Sequence, residues 1–200
     1  MSKEDNKEEA PEQEQSIWRS LGGTLLYLLV IVLLTWVIVT FVGQRTKVDG
    51  HSMEPTLSDG DNLIVDKLSY RFRDPERYDI IVFPYQHAEN TYYIKRIIGL
   101  PGETVQVIDG YMYINGKKLD EHYGAEVMEE GKDFPKISNA GLASKAISLG
   151  TGEYFVLGDN RNHSSDSRVA SVGVLTRDML IGRAWVRIYP FNKIGVIKHE

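Results

Sequence analysis

The chain contains no cysteine, which excludes thiol catalysis and cysteine-ligated metal. Lack of cysteine suits an extracytoplasmic domain that avoids stray disulfides, although it does not fix a compartment. The five histidines, His51, His87, His122, His163 and His199, include no i, i+4 pair, so no metal site and no other cofactor is expected. Basic charge is not in excess either. The formal net charge is −5, and six acids against three bases in the first 20 residues account for −3 of it. The remainder is close to neutral, which argues against a nucleic-acid partner. No internal repeat of roughly 20 to 50 residues is present.

What the chain does have is a long uncharged run, the 22 residues from Leu21 to Val42. At about 1.5 Å per helical residue it matches a bilayer core. Gly22, Gly23, Thr24, Thr35 and Thr40 interrupt its Leu, Val and Ile content, and Trp18 and Trp36 are candidate interfacial anchors. A buried core helix rarely needs this length without a polar face. A cleaved leader would have an apolar region of about 7 to 15 residues and a small-residue cut site. The run passes instead into Gly43-Gln44-Arg45-Thr46-Lys47, so residues 21–42 read as a retained transmembrane helix. The preceding residues 1–20, polar and acidic, read as a disordered tail.

Residues 43–200 suffice for one compact domain, and their pattern is strand-rich. Short runs at Asn62 to Val65, Asp79 to Phe83, Thr91 to Ile98 and Glu153 to Leu157 are rich in β-branched and aromatic residues and bounded by Gly, Pro or Asp. Val105 to Ile108, Asp109-Gly110 and Tyr111 to Ile114 spell a two-residue hairpin, and Asn115-Gly116 gives a second turn. Ile181 to Tyr189 alternates, with Ala184, Val186 and Ile188 on one face and Arg183, Trp185 and Arg187 on the other. The fold expected is mainly antiparallel β. Between about 121 and 149 the pattern lapses, which suggests an insertion on the sheet's rim and not another core layer.

Three clusters are dense in hydroxyls, charges, Gly and Pro: Asp49 to Leu57, Lys95 to Glu103, and Gly158 to Arg168. Each alone reads equally well as a turn. Together and in this order they resemble the type I signal peptidases, membrane-bound Ser/Lys serine proteases of bacteria. Ser52-Met53-Glu54-Pro55-Thr56-Leu57 is similar to the family's nucleophile motif, Tyr93 to Gly102 to its general-base motif, and Gly158 to Arg168 to its third box. Arg77 to Phe83 resembles the remaining strand motif. The single anchor and small domain look like the short forms typical of Gram-positive cells.

The resemblance implies a serine endopeptidase that removes N-terminal signal peptides from secreted preproteins at the plasma membrane, with the N-terminus cytoplasmic and the catalytic domain outside. It implies Ser52 as nucleophile and Lys95 as general base. A lysine can serve only when neutral, and at its reference pKa near 10.4 roughly one part in 2,500 is neutral at pH 7. Tyr93, Ile94, Ile97 and Ile98 supply apolar bulk that would lower that value. By resemblance Ser164 holds the lysine, while Asp166, Arg168 and Arg96 form a bracing ion-pair network. The resemblance further implies that Val48, Met53, Leu57, Val82, Tyr93 and Ile94 line shallow pockets for small residues. Where some relatives carry a serine that helps hold the oxyanion, this chain has Gly50. The Ser52 N–H is therefore the expected donor, and Gly50 admits the substrate carbonyl. Ser52 lies ten residues beyond Val42, so the reaction is expected near the bilayer, on membrane-inserted preproteins.

Other readings stay in view. His51 beside Ser52 invites a Ser/His pair, yet neighbouring side chains on an extended segment point apart. A non-catalytic relative would not need both Ser52 and Lys95, and a self-cleaving repressor would need a DNA-binding domain where this chain has an apolar helix.

Overall fold

The computed structural model describes residues 12–37, 43–121, 123 and 136–199. It divides into two units, one ending at Phe41 and one running from Val42 to Glu200.

The described residues of the first unit form one helix, α1, Glu12–Val37. It starts inside the stretch read as disordered tail, so that reading is corrected for residues 12–20. Glu12, Gln13, Glu14 and Gln15 are good helix formers, and acids in a first turn complement the helix dipole. Residues 1–11 lie outside the described residues, as do 38–42, the last part of the expected span. Among the described residues no helix is long and apolar enough to cross a membrane. Leu25, Leu26, Leu29, Val32 and Leu33 are all more than half exposed.

The second unit is mainly antiparallel β, in two sheets. The larger is built from β1 (Gly43–Lys47), β2 (Asn62–Asp66), β3 (Ile80–Pro84), β4 (Tyr92–Gly99), β9 (Glu153–Leu157), β10 (Leu175–Thr176), β11 (Gly182–Tyr189) and β12 (Gly195–Val196). Its order is β1-β2-β11-β3-β4-β9-β10, with β12 against β11. The smaller holds β5 (Thr104–Ile108), β6 (Tyr111–Ile114), β7 (Lys117–Lys118) and β8 (Ile147–Ser148), in the order β7-β6-β5-β8.

Local chemistry explains the small sheet. Asp109 and Gly110 have φ of 52° and 86°, and Asn115 and Gly116 have 50° and 76°. Two successive residues at positive φ make the tight turn whose twist matches a hairpin. β11 departs from its expected alternation, because its register against β2 shifts between Ala184 and Val186 and again between Arg187 and Tyr189. Each shift moves later side chains off their face. Ala184 is consequently buried, while Val186 and Ile188 are only partly so.

The rim reading of residues 121–149 is corrected in its described part. Tyr123, Ile137, Ala143 and Leu149 pack in one core cluster with Val105, Met112 and Phe155, and β8 pairs with β5. These apolar residues are spaced by irregular backbone, so they show neither strand nor helix period. A second cluster joins Val48, Met53 and Leu57 to Val65, Ile80, Val82, Ile94 and Ile197. It seats the segment after β1 on the large sheet.

Candidate active site

Ser52 lies in a turn after β1, and Lys95 lies in the middle of β4, opposite Ile81 of β3. Apolar anchors on either side, Val48 at 4 % and Met53 at 1 % exposure, pin the turn to the core. Although 43 residues apart in sequence, the two meet, with Lys95 Nζ 2.7 Å from Ser52 Oγ. The amine also donates to the Ile94 carbonyl at 2.8 Å, and it lies 5.1 Å from the centroid of the Tyr93 ring. Lys95 is 4 % exposed. Burial pushes its ammonium down to about 8, against the opposing pull of Asp166 and Asp159.

A groove of about 270 Å³ opens over this pair, with Val48, Gly50, Met53, Tyr93 and Ile94 in its wall. Leu57 and Val82, expected there, are not in it; they are 0 % and 1 % exposed in the core. Both belong to the cluster that seats the Ser52 turn, which uses their apolar area completely. Lys47, Asp49, His51, Tyr92, His163 and Ser165 also border the groove. Their adjacency to the three motifs was the only sequence signal for them.

Gly50 has φ +91°, and nothing lies within 4 Å of where its Cβ would be. Backbone conformation, not crowding, demands glycine there. Its N–H donates to Asp59 Oδ1 at 2.9 Å. The Ser52 N–H has no acceptor among the described residues.

The third box, residues 158–168, lies against the Ser52 turn. Asn160 N–H donates to the Ser52 carbonyl at 3.0 Å. A Cβ on Gly158 would sit 2.4 Å from that carbonyl oxygen and 2.3 Å from Ser164 Oγ, so the approach requires a residue without a side chain. Ser164, expected to hold the lysine, does not reach it. Its buried Oγ has no hydrogen-bond partner among the described residues.

The expected network separates into two ion pairs. Arg168 grips Asp166 through Nε and Nη2, both at 2.8 Å, and Asp166 accepts the Gly158 N–H at 3.1 Å. Arg96 turns to Asp159, with Nε at 2.8 Å from Oδ1 and Nη2 at 2.6 Å from Oδ2. Asp159 was not foreseen. It also accepts the Thr56 hydroxyl at 2.6 Å, which ties β4, the third box and the Ser52 turn at one carboxylate. Both members of the Arg96 pair are 1 % exposed or less, so removing one partner alone costs about 3–5 kcal/mol. Arg96 Nη1 donates in addition to the carbonyls of Tyr78 and His199.

The segment around His51 is a turn and not an extended strand, which corrects the geometric reason given for setting His51 aside. His51 is nevertheless engaged elsewhere, with Nδ1 2.8 Å from Glu54 Oε1. That bond and the Glu54 charge raise its pKa. Among the described residues no group of His, Asp and Glu side chains is placed to hold a metal ion.

A serine hydroxyl bonded to a buried amine, on an antiparallel β scaffold, places the chain among hydrolases of the serine class. Residues 21–189 match the family model described as signal peptidase, peptidase S26. The chain is 41 % identical over 199 residues to a probable signal peptidase I-2 of Synechocystis, covering 97 % of this chain and 83 % of that protein. It is 42 % identical over 171 residues to a signal peptidase I of Leptolyngbya laminosa, covering 82 % and 77 %. With a signal peptidase I T of Bacillus subtilis it shares 34 % over 196 residues, covering 98 % of each. The chain belongs to the signal peptidase family, peptidase S26, a family of serine peptidases.

Proposed function

We propose that the chain is a membrane-bound endopeptidase that removes N-terminal signal peptides from secreted preproteins, with Ser52 as nucleophile and Lys95 as general base. The observation that carries this reading is the 2.7 Å contact between Ser52 Oγ and the buried Lys95 amine. With a pKa of about 8, roughly one lysine in ten is neutral at pH 7, several hundred times the fraction of a solvated lysine.

In the reactive form the neutral amine accepts the Ser52 proton as Oγ attacks the scissile carbonyl. The Ser52 N–H stabilises the developing oxyanion, and the open space at Gly50 admits the substrate carbonyl. The lysine then returns its proton to the departing amine, leaving an acyl-serine. Water, deprotonated by the same lysine, releases the product. Val48, Met53, Tyr93 and Ile94 line the groove and favour small side chains beside the cut. Asp166 with Arg168 and Arg96 with Asp159 are positioning groups, and Ser164 Oγ and the Ser52 carbonyl both lie against Gly158.

Residues 21–42 serve as the anchor. The exposed Leu, Val and Ile side chains of α1 need an apolar solvent, and in sequence the apolar run continues to Val42. The lipid bilayer is thus a partner, with the N-terminus cytoplasmic and residues 43–200 on the outer side.

The test is cleavage of a radiolabelled secretory precursor in membranes. Wild type and the His51→Ala control are expected to cut it, and Ser52→Ala and Lys95→Ala are not. Cleavage that survives loss of Lys95 would sink the lysine's role.

A further inference from the structure

The Ser52 turn is tied to the third box at two adjacent carbonyls. Asn160 N–H donates to the Ser52 carbonyl at 3.0 Å, and Asn160 Nδ2 donates to the His51 carbonyl at 3.2 Å. The second contact concerns a particular peptide group. The His51 carbonyl and the Ser52 N–H are the two ends of one planar trans unit, so a bond that fixes the direction of one fixes the other. The His51 carbonyl accepts one further bond, from the Glu54 N–H at 3.2 Å within the same turn. Asn160 is therefore its tie to the rest of the protein.

That peptide has an unusual burden in this chain. Gly50 offers no side-chain donor, and its own N–H is committed to Asp59. The Ser52 N–H, unpaired among the described residues, is left as the donor for the oxyanion. The residue before this peptide's carbonyl partner is a glycine at positive φ with open space around it, so the chain upstream does little to hold the plane.

We infer that Asn160 is a positioning residue for oxyanion stabilisation: its side-chain amide holds the His51–Ser52 peptide so that the Ser52 N–H points at the oxygen of the tetrahedral intermediate. The same bond polarises the peptide and strengthens the N–H as a donor. This inference rests on the reading of Ser52 as nucleophile.

The test compares Asn160→Ala and Asn160→Asp with wild-type full-length protein. Aspartate keeps the shape and replaces the donor with an acceptor facing the His51 carbonyl. Three quantities are measured: steady-state kinetics on a peptide substrate, inhibition by a peptide aldehyde that forms a hemiacetal with Ser52, and binding of the cleaved product peptide. Removing an oxyanion donor outright costs about 100- to 1,000-fold in kcat, so misaiming one is expected to cost about 10- to 100-fold. The aldehyde should weaken by a similar factor, KM and product binding should change by less than about twofold, and the pH profile of Asn160→Ala should keep its midpoint. The bond from Asn160 N–H to the Ser52 carbonyl survives in both variants, and unchanged thermal unfolding confirms that the fold does. Unchanged kcat and aldehyde affinity would overturn the role, as would equal losses of aldehyde and product binding. Ser52→Ala separates the two levels. If it retains cleavage, the nucleophile assignment itself fails; if it abolishes cleavage while the Asn160 variants match wild type, only the positioning role fails.

Discussion

On the proposed mechanism, Lys95 bears on both chemistry and stability. Its folded-state pKa of about 8 lies below its ordinary value of 10.5 because burial disfavours the charge. Between those values the unfolded chain holds a proton that the folded chain lacks, so stability rises with pH across that window. Below about pH 8 the folded state carries the full cost of the buried ammonium, roughly 3 kcal/mol from the size of the shift. Lys95→Met removes that cost along with two hydrogen bonds. The variant is expected to be at least as stable as wild type at pH 7 and to lack the wild-type gain between pH 8 and 10.5, as read by urea unfolding in detergent. Gly158 makes the opposite case. Gly158→Ala places a Cβ 2.4 Å from the Ser52 carbonyl oxygen, so the turn must move, and peptide cleavage is expected to fall by about 100-fold or more. Wild-type activity in that variant would show that the close approach is dispensable. At this scale the meeting of Ser52 and Lys95 was to be expected from the distinctive motif in which each sits. The partner of Arg96 was not. Asp159 and Asp166 share one short segment, and only the fold decides which carboxylate faces β4.

Elements carry the site through packing that sequence period reports unevenly. The β5–β6 hairpin was legible from Asp109-Gly110, since few dipeptides tolerate two positive φ values in succession. The core role of Ile137, Ala143 and Leu149 was hidden, because no period links residues on irregular backbone. The strap formed by β12 and the residues after it was likewise missed. Ile197 is buried in the cluster that seats the Ser52 turn, and His199 Nδ1 accepts the Ile80 N–H at 2.9 Å. Burial first, and then the Arg183 guanidinium, pushes the His199 imidazole from its ordinary 6.5 to about 4 despite the pull of Asp79. Its folded-state value is depressed, so its contribution to stability is complete above about pH 6.5 and is lost as pH falls toward 4. Thermal unfolding of wild type is expected to decline more steeply over that range than that of His199→Gln. Parallel curves would mean that the imidazole titrates freely.

For the whole molecule, the proposed function needs both the apolar helix and the β unit, which adjoin in sequence at Val42. Removal of residues 1–42 is expected to release the protein from the membrane fraction and to slow cleavage of a membrane-inserted precursor by about tenfold or more, through lost effective concentration. Cleavage of a short soluble peptide should be nearly unchanged. Equal losses on both substrates would show that the helix supports the fold and not the encounter. The antiparallel β class and the family were legible because four motifs occur in order along one chain. The two-sheet arrangement was not, since β8 lies far from β5 in sequence and the stretch from about residue 121 up to β8 shows no regular pattern.

The claim on which the rest depends is that Lys95 is neutral often enough to take a proton from Ser52. Its most direct measurement is NMR titration of the lysine side chains, with the Lys95 signal assigned by its absence in Lys95→Met. A midpoint near pH 8, matched by the rise of kcat/KM with pH, is the expected result. A Lys95 midpoint at or above its ordinary 10.5 would contradict its role as the base.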